Sequence, residues 1–419
     1  VVFQKAGTTD GGIYINPTTG TTSEAGGTQT IGISLTSKPT ATVMLTISSS
    51  NTAEGQIKRS SGTCDTAGSV AAGSCTLTFT DADYLTPKNI AVVGQNDNVV
   101  DTGTAYKLQI SASSADPLYT IAQFDAASIT NTDNDTAGFV ATPASGLVTR
   151  PSGGGATATS QIKLSSQPSA NVTFSVKSDN TAGGDVTTPA GKSFTFTSAN
   201  WNTPQNLVVT GGATTPVDYK IIIDGTVTST DTNYSGVTGT ALHTGISLKN
   251  IAAGDKYIFF TSSASSGSFG GASGADAKCN AAANKPNTST YKAIIGGGGR
   301  TACTTANCGT GGATEHTDWV LLPTQRYTRS DGTEIGTTNT AGIFIFPLTN
   351  AVSTSSSSPW TGLSTTWLTS FSCSNWSTTT GTGTAGVTSY VSSMVLDAGF
   401  GGGNGLGCSV NYPLYCAEQ

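Results

Sequence analysis

Two segments of the 419-residue chain repeat each other, and this internal repeat limits the fold more than any other feature of the sequence. The shared motifs, in the same order in both copies, are Asn16-Pro17 and Thr142-Pro143, Ser37-Lys38-Pro39 and Ser166-Gln167-Pro168, Thr86-Pro87 and Thr203-Pro204, and Asp116 with Tyr119 and Asp231 with Tyr234. Self-similarity of this kind indicates homologous structural units. We therefore place a first module at residues 1–135 and a second at residues 136–250.

Apolar residues alternate with polar residues inside each module. Val43, Leu45 and Ile47 show this alternation in the first copy, and residues 172–176 show it in the second. A period of two is typical of a strand with one buried face. Several such strands, separated by Gly, Pro, Asn and Asp turns over about 110 to 130 residues, describe a β-sandwich of immunoglobulin-like size. The short segment between Cys64 and Cys75 predicts a hairpin closed by its own disulfide.

The composition agrees with a mainly β fold and restricts the choice of partners. Charged residues make up 11% of the chain, against about 25% in an average soluble protein. Thr, Ser and Gly take their place, and these residues favour strands and turns over long helices. The net charge of −6, without any Lys/Arg cluster, argues against nucleic acid as a partner. No apolar run approaches the ~20 residues of a membrane span.

The character of the sequence changes after residue 250, which indicates a third domain at residues 251–419. Residues 276–283 form a short helix-compatible stretch. Four of the five tryptophans and six of the eight cysteines also lie in this region. Such a shift in residue types predicts a fold different from that of the two modules.

The cysteines indicate an oxidising compartment. They are Cys64, Cys75, Cys279, Cys303, Cys308, Cys373, Cys408 and Cys416. Only His243 and His316 are present, so no closely spaced Cys/His set exists for zinc. Four disulfides are therefore favoured over eight free thiols. The chain begins at Val1 without an initiator Met or a leader segment, as a mature exported protein does. We expect a secreted protein that is extracellular or on the outer cell surface.

Motifs spread over residues 10–248 resemble Calx-β modules and their relatives in bacterial surface arrays. They are Glu24-Ala25-Gly26-Gly27, Ser37-Lys38-Pro39, Asn96-Asp97 with Asp101, and Asn131-Thr132-Asp133-Asn134-Asp135. The resemblance implies one set of calcium ligands beside the junction with the second module: Glu24, Asp97, Asp101, Asp133 and Asp135. The alternative is that these residues only form turns, by hydrogen bonding to their own backbone.

The second copy departs from this pattern. Arg150 stands near the place of Glu24, and no Asp-x-Asp motif closes the module. The sequence therefore predicts at most one calcium cluster, between the two modules, and no other cofactor.

The third domain resembles the endostatin-like domain, a C-type-lectin-like α+β fold, and a related domain that ends several spirochaete surface proteins. The motifs are Gly274-Ala275-Asp276 with Cys279, Tyr291-Lys292-Ala293-Ile294-Ile295, Cys373-Ser374-Asn375-Trp376, Cys408 and Leu414-Tyr415-Cys416. The resemblance implies disulfides from Cys279 to Cys416 and from Cys373 to Cys408. Cys303 and Cys308, which have no partner in that pattern, are then joined in a local ring.

No catalytic constellation emerges from the sequence, and we expect no enzymatic activity. Residues 315–318, Glu-His-Thr-Asp, are adjacent in sequence, whereas catalysis needs groups that converge in space. Sugar binding is a weaker expectation, based on the lectin-like resemblance. Trp360, Trp367 and Trp376 are the rings that would stack on a sugar, and core packing is their alternative role.

Two functions remain. The first is adhesion or surface presentation, with two sandwiches as a stalk and the C-terminal domain as a binding head; the partners would be other surface proteins, glycans or copies of the chain itself. The second is a structural subunit of an extracellular filament or sheath. Its basis is the apolar start Val1-Val2-Phe3, which would add a strand to a neighbour's sheet. The alternative for this segment is an edge strand of its own module.

Overall fold

A computed structural model describes residues 1–4, 11–68, 70–151, 157–235, 244–399 and 405–419. It has a mainly β fold, with two β-sandwiches followed by a region of mixed strands and helices. This confirms the predicted mainly β fold with two sandwiches, whereas the C-type-lectin-like fold of the third domain stays a prediction. The proposed domain limits lie between β-strands, in the segments 133–138 and 251–255.

Twelve strands form the first sandwich in the described part of the chain: β1 (Val2–Gln4), β2 (Gly12–Asn16), β3 (Thr19–Ser23), β4 (Thr28–Leu35), β5 (Val43–Ser49), β6 (Gly55–Ser60), β7 (Thr63–Cys64), β8 (Val70–Ala72), β9 (Ser74–Phe79), β10 (Lys88–Gly94), β11 (Ala105–Ser114) and β12 (Ile121–Thr132). One face has the order β1-β2-β4-β10-β6, and the other β9-β5-β11-β12-β3. The short strand β7 pairs with both β6 and β9 and so joins the two faces.

The predicted alternation places the core between these faces. Val43, Leu45 and Ile47 are each 0% exposed, whereas Met44 between them is 46% exposed. Burial of every second side chain is what a strand with one inward face requires. Pro17 separates β2 from β3, which belong to opposite faces, because a proline cannot donate a ladder hydrogen bond.

Nine strands and one short helix form the second sandwich: β13 (Phe139–Thr142), β14 (Leu147–Thr149), β15 (Thr157–Leu164), β16 (Val172–Ser178), β17 (Gly184–Thr188), β18 (Ser193–Phe196), β19 (Gln205–Gly211), β20 (Val217–Thr228), α1 (Thr232–Ser235) and β21 (Ile246–Asn250). The faces β13-β15-β19-β17 and β14-β21-β20-β16-β18 repeat the order of β2-β4-β10-β6 and β3-β12-β11-β5-β9. The two predicted tandem sandwiches are therefore present. Among the described residues, β1, β7 and β8 have no counterpart in the second.

The C-terminal region combines a small mixed sheet with short helices: β22 (Lys256–Phe260), α2 (Gly271–Ala281), β23 (Tyr291–Ala293), β24 (Arg326–Thr328), β25 (Glu334–Thr337), α3 (Cys373–Trp376), β26 (Thr382–Gly383), β27 (Leu406–Gly407) and β28 (Tyr415–Glu418). The main sheet has the order β23-β28-β22-β24-β25, in which only β22 and β24 are parallel. Single 3₁₀ turns occur at Pro117–Tyr119, Ala306–Cys308, Gly312–Glu315 and Ser393–Val395.

All eight cysteines are paired: Cys64–Cys75, Cys279–Cys416, Cys303–Cys308 and Cys373–Cys408. These are the four pairs named in the sequence analysis. The first closes the strand pair that bridges the faces of the first sandwich. The second spans 137 residues and ties helix α2 to the last strand, which is the longest loop closed and so contributes most in the chain-entropy model.

Each sandwich has one end built by the same side-chain contacts, which we call the entry end. It comprises residues 37–40, 80–83 and 116–119 in the first module and 166–169, 197–200 and 231–234 in the second. The hydroxyl of Tyr119 donates to the carbonyl of Ser37 at 2.6 Å, and that of Tyr234 donates to Ser166 at 2.6 Å. Such a tyrosine corner pins a loop to the sandwich edge. The repeated Asp and Tyr motifs of the sequence thus have a structural role.

The opposite end, which we call the exit end, is also repeated. Thr22 bonds the Tyr106 hydroxyl at 3.2 Å and donates to Asn131 Oδ1 at 3.0 Å. Thr149 makes the same contacts with Tyr219 and Asn250, at 2.8 and 3.1 Å. These buried Thr-Tyr-Asn sets fix the register of the two modules at the end where each meets the next domain.

Candidate functional site

Three of the predicted calcium ligands lie together at the exit end of the first module. Glu24, Asp97 and Asp135 each offer an oxygen within 4.8 Å of the others. They come from three separate places in the chain, after β3, after β10 and after β12. Asp135 Oδ2 is buried and has no hydrogen-bond partner. A buried carboxylate oxygen without a donor fits a cation ligand, because hard cations bind through such oxygens.

The other two predicted ligands bond mainly to backbone. Asp133 Oδ2 accepts from the amide of Asp101 at 2.9 Å, and Asp133 Oδ1 accepts from the amide of Asp135 at 2.7 Å. Asp101 accepts from the amide of Gly103 and the hydroxyl of Thr104, both at 2.8 Å. Asp101 and Asp133 therefore make the turns that the alternative interpretation foresees, and these turns hold the loops that carry the other carboxylates.

Burial and neighbouring charges raise the pKa of two of the clustered carboxylates, Glu24 and Asp135. Burial raises the pKa of Glu24, and the charges of Asp97, Asp133 and Asp135 raise it further, against a hydrogen bond from the Asn134 amide. Burial also raises the pKa of Asp135, and the charge of Asp133 adds to the effect. An arrangement that disfavours its own negative charge is stabilised by a bound cation.

Glu54 is a further acidic residue of this end that the sequence analysis missed. It is 8% exposed, and Asn131 Nδ2 donates to it at 3.4 Å. Burial raises its pKa, and the charges of Asp101 and Asp97 raise it further. It precedes β6, in a turn that bears no motif of its own. The sequence offers no signal for it, because Glu is usually exposed and the burial of Glu54 is visible only in the structure.

The loop that carries Asp97 also holds the second module. The carbonyl of Asn98 accepts from the amide of Gln167 at 2.6 Å, and that of Val100 accepts from Asn233 Nδ2 at 3.0 Å. Both donors belong to the entry end of the second module. The carboxylate cluster and the contact between modules thus share one loop.

Among the described residues, the exit end of the second module has no such group of three carboxylates. Strand register gives the following counterparts: Arg150 for Ser23, Pro151 for Glu24, Gly183 for Glu54, Ala252 for Asp133 and Gly254 for Asp135. Arg150 therefore lies one position before the place of Glu24, close to where the sequence analysis put it. At these matched positions, the second module has no carboxylate and one basic side chain, Arg150.

The three tryptophans proposed to stack on sugar rings lie in the core instead. Trp360, Trp367 and Trp376 are 0%, 1% and 0% exposed. Each indole N–H donates to a backbone carbonyl, those of Ser265, Phe344 and Gly296. Their rings face other side chains of the domain, so the expectation of a tryptophan sugar platform is wrong. The alternative stated with it, core packing, is correct.

The C-terminal domain exposes other apolar side chains. Those of Ile345, Phe371, Tyr390, Val391, Met394 and Val410 are 71%, 45%, 43%, 39%, 37% and 44% exposed. Tyr390, Val391 and Met394 belong to one loop, closed where the Val387 amide donates to the carbonyl of Met394 at 3.1 Å. Nothing in the sequence marks this loop, because single apolar residues are common on surfaces.

The N-terminal segment proposed for self-assembly pairs with its own module. Strand β1 is antiparallel to β2, with Phe3 opposite Ile13, and the Phe3 ring stacks on Phe124 at 4.5 Å. This corresponds to the alternative given for the segment, an edge strand. Val1 and Val2 are exposed, at 59% and 48%, and β1 stands at the end of the sheet order.

The Glu-His-Thr-Asp segment is held by structural contacts. The Glu315 carboxylate accepts from the hydroxyl of Thr305 and from the backbone amides of Thr304, Thr305 and Gly311. The hydroxyl bond, together with the amide bonds, holds the pKa of Glu315 well below its usual range. Both ring nitrogens of His316 contact backbone carbonyls. Asp318 pairs with Lys292 and Arg300. The three groups thus point to different partners. His243 lies outside the described residues.

Comparisons with known proteins match separate parts of the chain. The family model described as a protein of unknown function, DUF1554, matches residues 262–393, which is less than half of the chain. No curated protein sequence matches. Among the described residues, no helix has the length and apolar character needed to cross a membrane.

Several solved structures are similar to parts of the chain. The apo Calx CBD1 domain is 13% identical, with 29% of this chain and 96% of that chain covered and a TM-score of 0.21. The calcium-binding domain CBD12 of CALX1.1 is 15% identical, covering 51% and 79%, with a TM-score of 0.22. The major pilin subunit BcpA of Bacillus cereus is 12% identical, covering 58% and 69%, with a TM-score of 0.20. At these scores the description of the fold rests on the strand order, and the endostatin-like resemblance of the third domain stays a prediction.

Proposed function

We propose that this protein is a secreted bacterial surface protein that acts in adhesion or surface presentation, with the two sandwiches as a stalk and the C-terminal domain as the binding head. The observation that carries the proposal is the contact of the exit end of the first module with the entry end of the second. Joined ends in series make a spacer, which is what presentation of a terminal domain requires. Four disulfides support export, because disulfides persist in oxidising compartments. No catalytic role is part of the proposal.

Calcium would stiffen this stalk. Glu24, Asp97 and Asp135 would hold the ion, and the turns made by Asp101 and Asp133 would keep their loops in place. Because the Asp97 loop also contacts Gln167 and Asn233, a bound cation would fix the angle between the modules.

The exposed apolar loop of the C-terminal domain is the candidate contact surface of the head. Exposed aromatic and aliphatic side chains on one loop are typical of sites that bind other proteins. A full-length variant with Tyr390→Ser, Val391→Ser and Met394→Ser should show at least tenfold lower affinity for the ligands that the unaltered protein binds in a panel of immobilised extracellular proteins and glycans.

The matched control for this experiment is Leu85→Ser, since Leu85 is 60% exposed on the first module. Protease treatment of intact cells tests the location in parallel, because a surface protein is cleaved without lysis. Unchanged binding by the triple variant would contradict the head surface, and protection from protease on intact cells would contradict the proposed function.

The second candidate function is a filament or sheath subunit. It is favoured by the exposed side chains of Val1 and Val2 and by the place of β1 at the end of the sheet order, since a strand at a sheet edge can pair with another chain. Negative-stain microscopy of the purified protein should then show rods of indefinite length. Val2→Lys should abolish the rods without unfolding the module, because a charge at an edge strand blocks pairing. Discrete single particles from the unaltered protein would contradict this function.

A further inference from the structure

We infer that Arg150 is a positioning residue whose guanidinium supplies, at the exit end of the second module, the positive charge that a divalent cation would supply at the exit end of the first. The C-terminal domain is thereby fixed on the stalk without an ion. The contrast between the two junctions rests on the cation site proposed above. The contacts that Arg150 makes do not depend on that cation site.

Arg150 reaches across the junction into the C-terminal domain. Its Nη2 lies 3.4 Å from Glu418 Oε2, and its guanidinium carbon lies 4.8 Å from the centre of the Tyr257 ring. Nη1 donates to the carbonyl of Ala253 at 3.4 Å. Arg150 is 8% exposed and Glu418 is 5% exposed. A charge buried to this degree depends on its partners, and an aromatic face adds attraction for a guanidinium.

The acceptor is held rigidly on its own side. Glu418 Oε2 accepts from the amide of Tyr257 at 2.9 Å, and Oε1 accepts from Asn287 Nδ2 at 2.9 Å. Glu418 belongs to β28, two residues after Cys416, whose disulfide reaches Cys279 in helix α2. Both carboxylate oxygens are therefore held by hydrogen bonds within the C-terminal domain, in addition to the contact with Arg150.

The segment that connects the two domains is pinned as well. Asp255 forms two hydrogen bonds with Arg326 of β24, at 2.8 and 2.5 Å. Ile251 is 1% exposed within the apolar core of the C-terminal domain, and Val148 of the second module packs against the same core. Polar and apolar contacts thus hold both sides of a five-residue connection, which is the property expected of a fixed joint.

The first junction has a different chemistry. Its acidic side chains are those of Glu24, Glu54, Asp97 and Asp135, of which the two glutamates are buried. The contact with the second module runs through backbone carbonyls of one loop. No described basic side chain forms an ion pair with these four carboxylates. At the matched positions the first module therefore carries carboxylates, whereas the second carries Arg150, which pairs with Glu418.

Hydrogen exchange of the full-length protein tests the inference without any variant. Addition of calcium to chelator-treated protein should slow exchange in residues 95–104 and leave residues 250–257 unchanged. A calcium response of residues 250–257 as large as that of residues 95–104 would overturn the inference. If neither segment responds, the cation site of the first module is wrong, and the variant arm below then decides the role of Arg150.

The variant arm compares Arg150→Met with Lys177→Met. Lys177 forms an exposed ion pair with Asp224 at 2.8 Å in the same module and serves as the control. Arg150→Met should speed exchange of residues 250–257 by at least about tenfold, since removing one partner leaves a buried charge uncompensated. Glu418→Gln, which keeps the shape of the acceptor, should act in the same direction. Equal exchange in Arg150→Met and Lys177→Met, with both proteins folded by circular dichroism, would overturn the inference.

Discussion

At the scale of single residues, the exit end of the first module is governed by carboxylates that are kept close to one another. Glu24 and Glu54 are buried, and Asp135 has an oxygen with no donor. Such groups are unfavourable unless they are protonated or bound to a cation. Two consequences can be measured, one with calcium and one with pH.

Calcium should raise the melting temperature of the first module. Binding to the folded state alone stabilises it by about 2.7 kcal/mol when free calcium is 100 times the dissociation constant. Glu24→Gln should remove most of the shift, whereas Asp81→Asn, at an exposed site of the same module, should leave it intact. Calorimetry with and without a chelator provides the measurement. An absent shift in the unaltered protein would show that the acidic residues serve as turn formers only.

Lowering the pH should stabilise the first module when calcium is absent. Burial raises the pKa of Glu24 and Glu54 above the ordinary value of 4.5, so the folded state binds protons that the unfolded chain releases. Stability therefore rises as the pH falls from 7 toward 4.5. Carboxyls with a lowered pKa, such as Asp83 at about 2, act in the opposite direction only below that window. Denaturant unfolding at pH 7 and pH 5 is the measurement, and lower stability at pH 5 would refute the expectation.

At the scale of elements, the sequence predicted the strands of the modules and missed much of the third domain. Alternation at Val43, Leu45 and Ile47 has a direct physical meaning, because a strand with one buried face must show it. The C-terminal domain has two-to-five-residue strands whose partners are distant in sequence, such as β22 and β28, and no periodicity appears in so short a stretch. The sequence left both sugar stacking and core packing open for the three tryptophans, because their burial is decided by long-range packing.

The tyrosine hydroxyls at the two entry ends should contribute similar amounts to the free energy of unfolding of their modules. Tyr119→Phe and Tyr234→Phe each remove a hydroxyl that donates to one carbonyl and contacts a backbone amide 3.2 Å away. Each change should lower the free energy of unfolding of its own module by about 1 to 3 kcal/mol, the cost of leaving a buried polar group unsatisfied. Tyr14→Phe, at a 41% exposed site, is the control. Chemical denaturation, followed by probes specific for each module, is the measurement. A decrease in the free energy of unfolding no larger than that of the control would contradict a stabilising role of the tyrosine corner.

At the scale of the whole molecule, the two junctions should respond differently to the same reagent. Small-angle scattering of the full-length protein should give a narrower distribution of radii of gyration with calcium than with a chelator. The reason is that bound calcium holds the loop at residues 95–104 in one geometry. Glu24→Gln should resemble the chelated state in both solutions. Arg150→Met should broaden the distribution whether or not calcium is present. Identical profiles for the chelated and calcium-loaded protein would contradict a cation-stiffened stalk.

The C-terminal domain begins and finishes at the same place. Glu418 meets Arg150 at the junction where Ile251 leaves the second module, and β22 and β28 are neighbouring antiparallel strands. A fluorophore attached to Gln419 would therefore lie beside the junction between the second module and the C-terminal domain. A probe meant to report on other surfaces of this domain is therefore better attached to an exposed interior loop, such as the loop with Tyr390 and Val391.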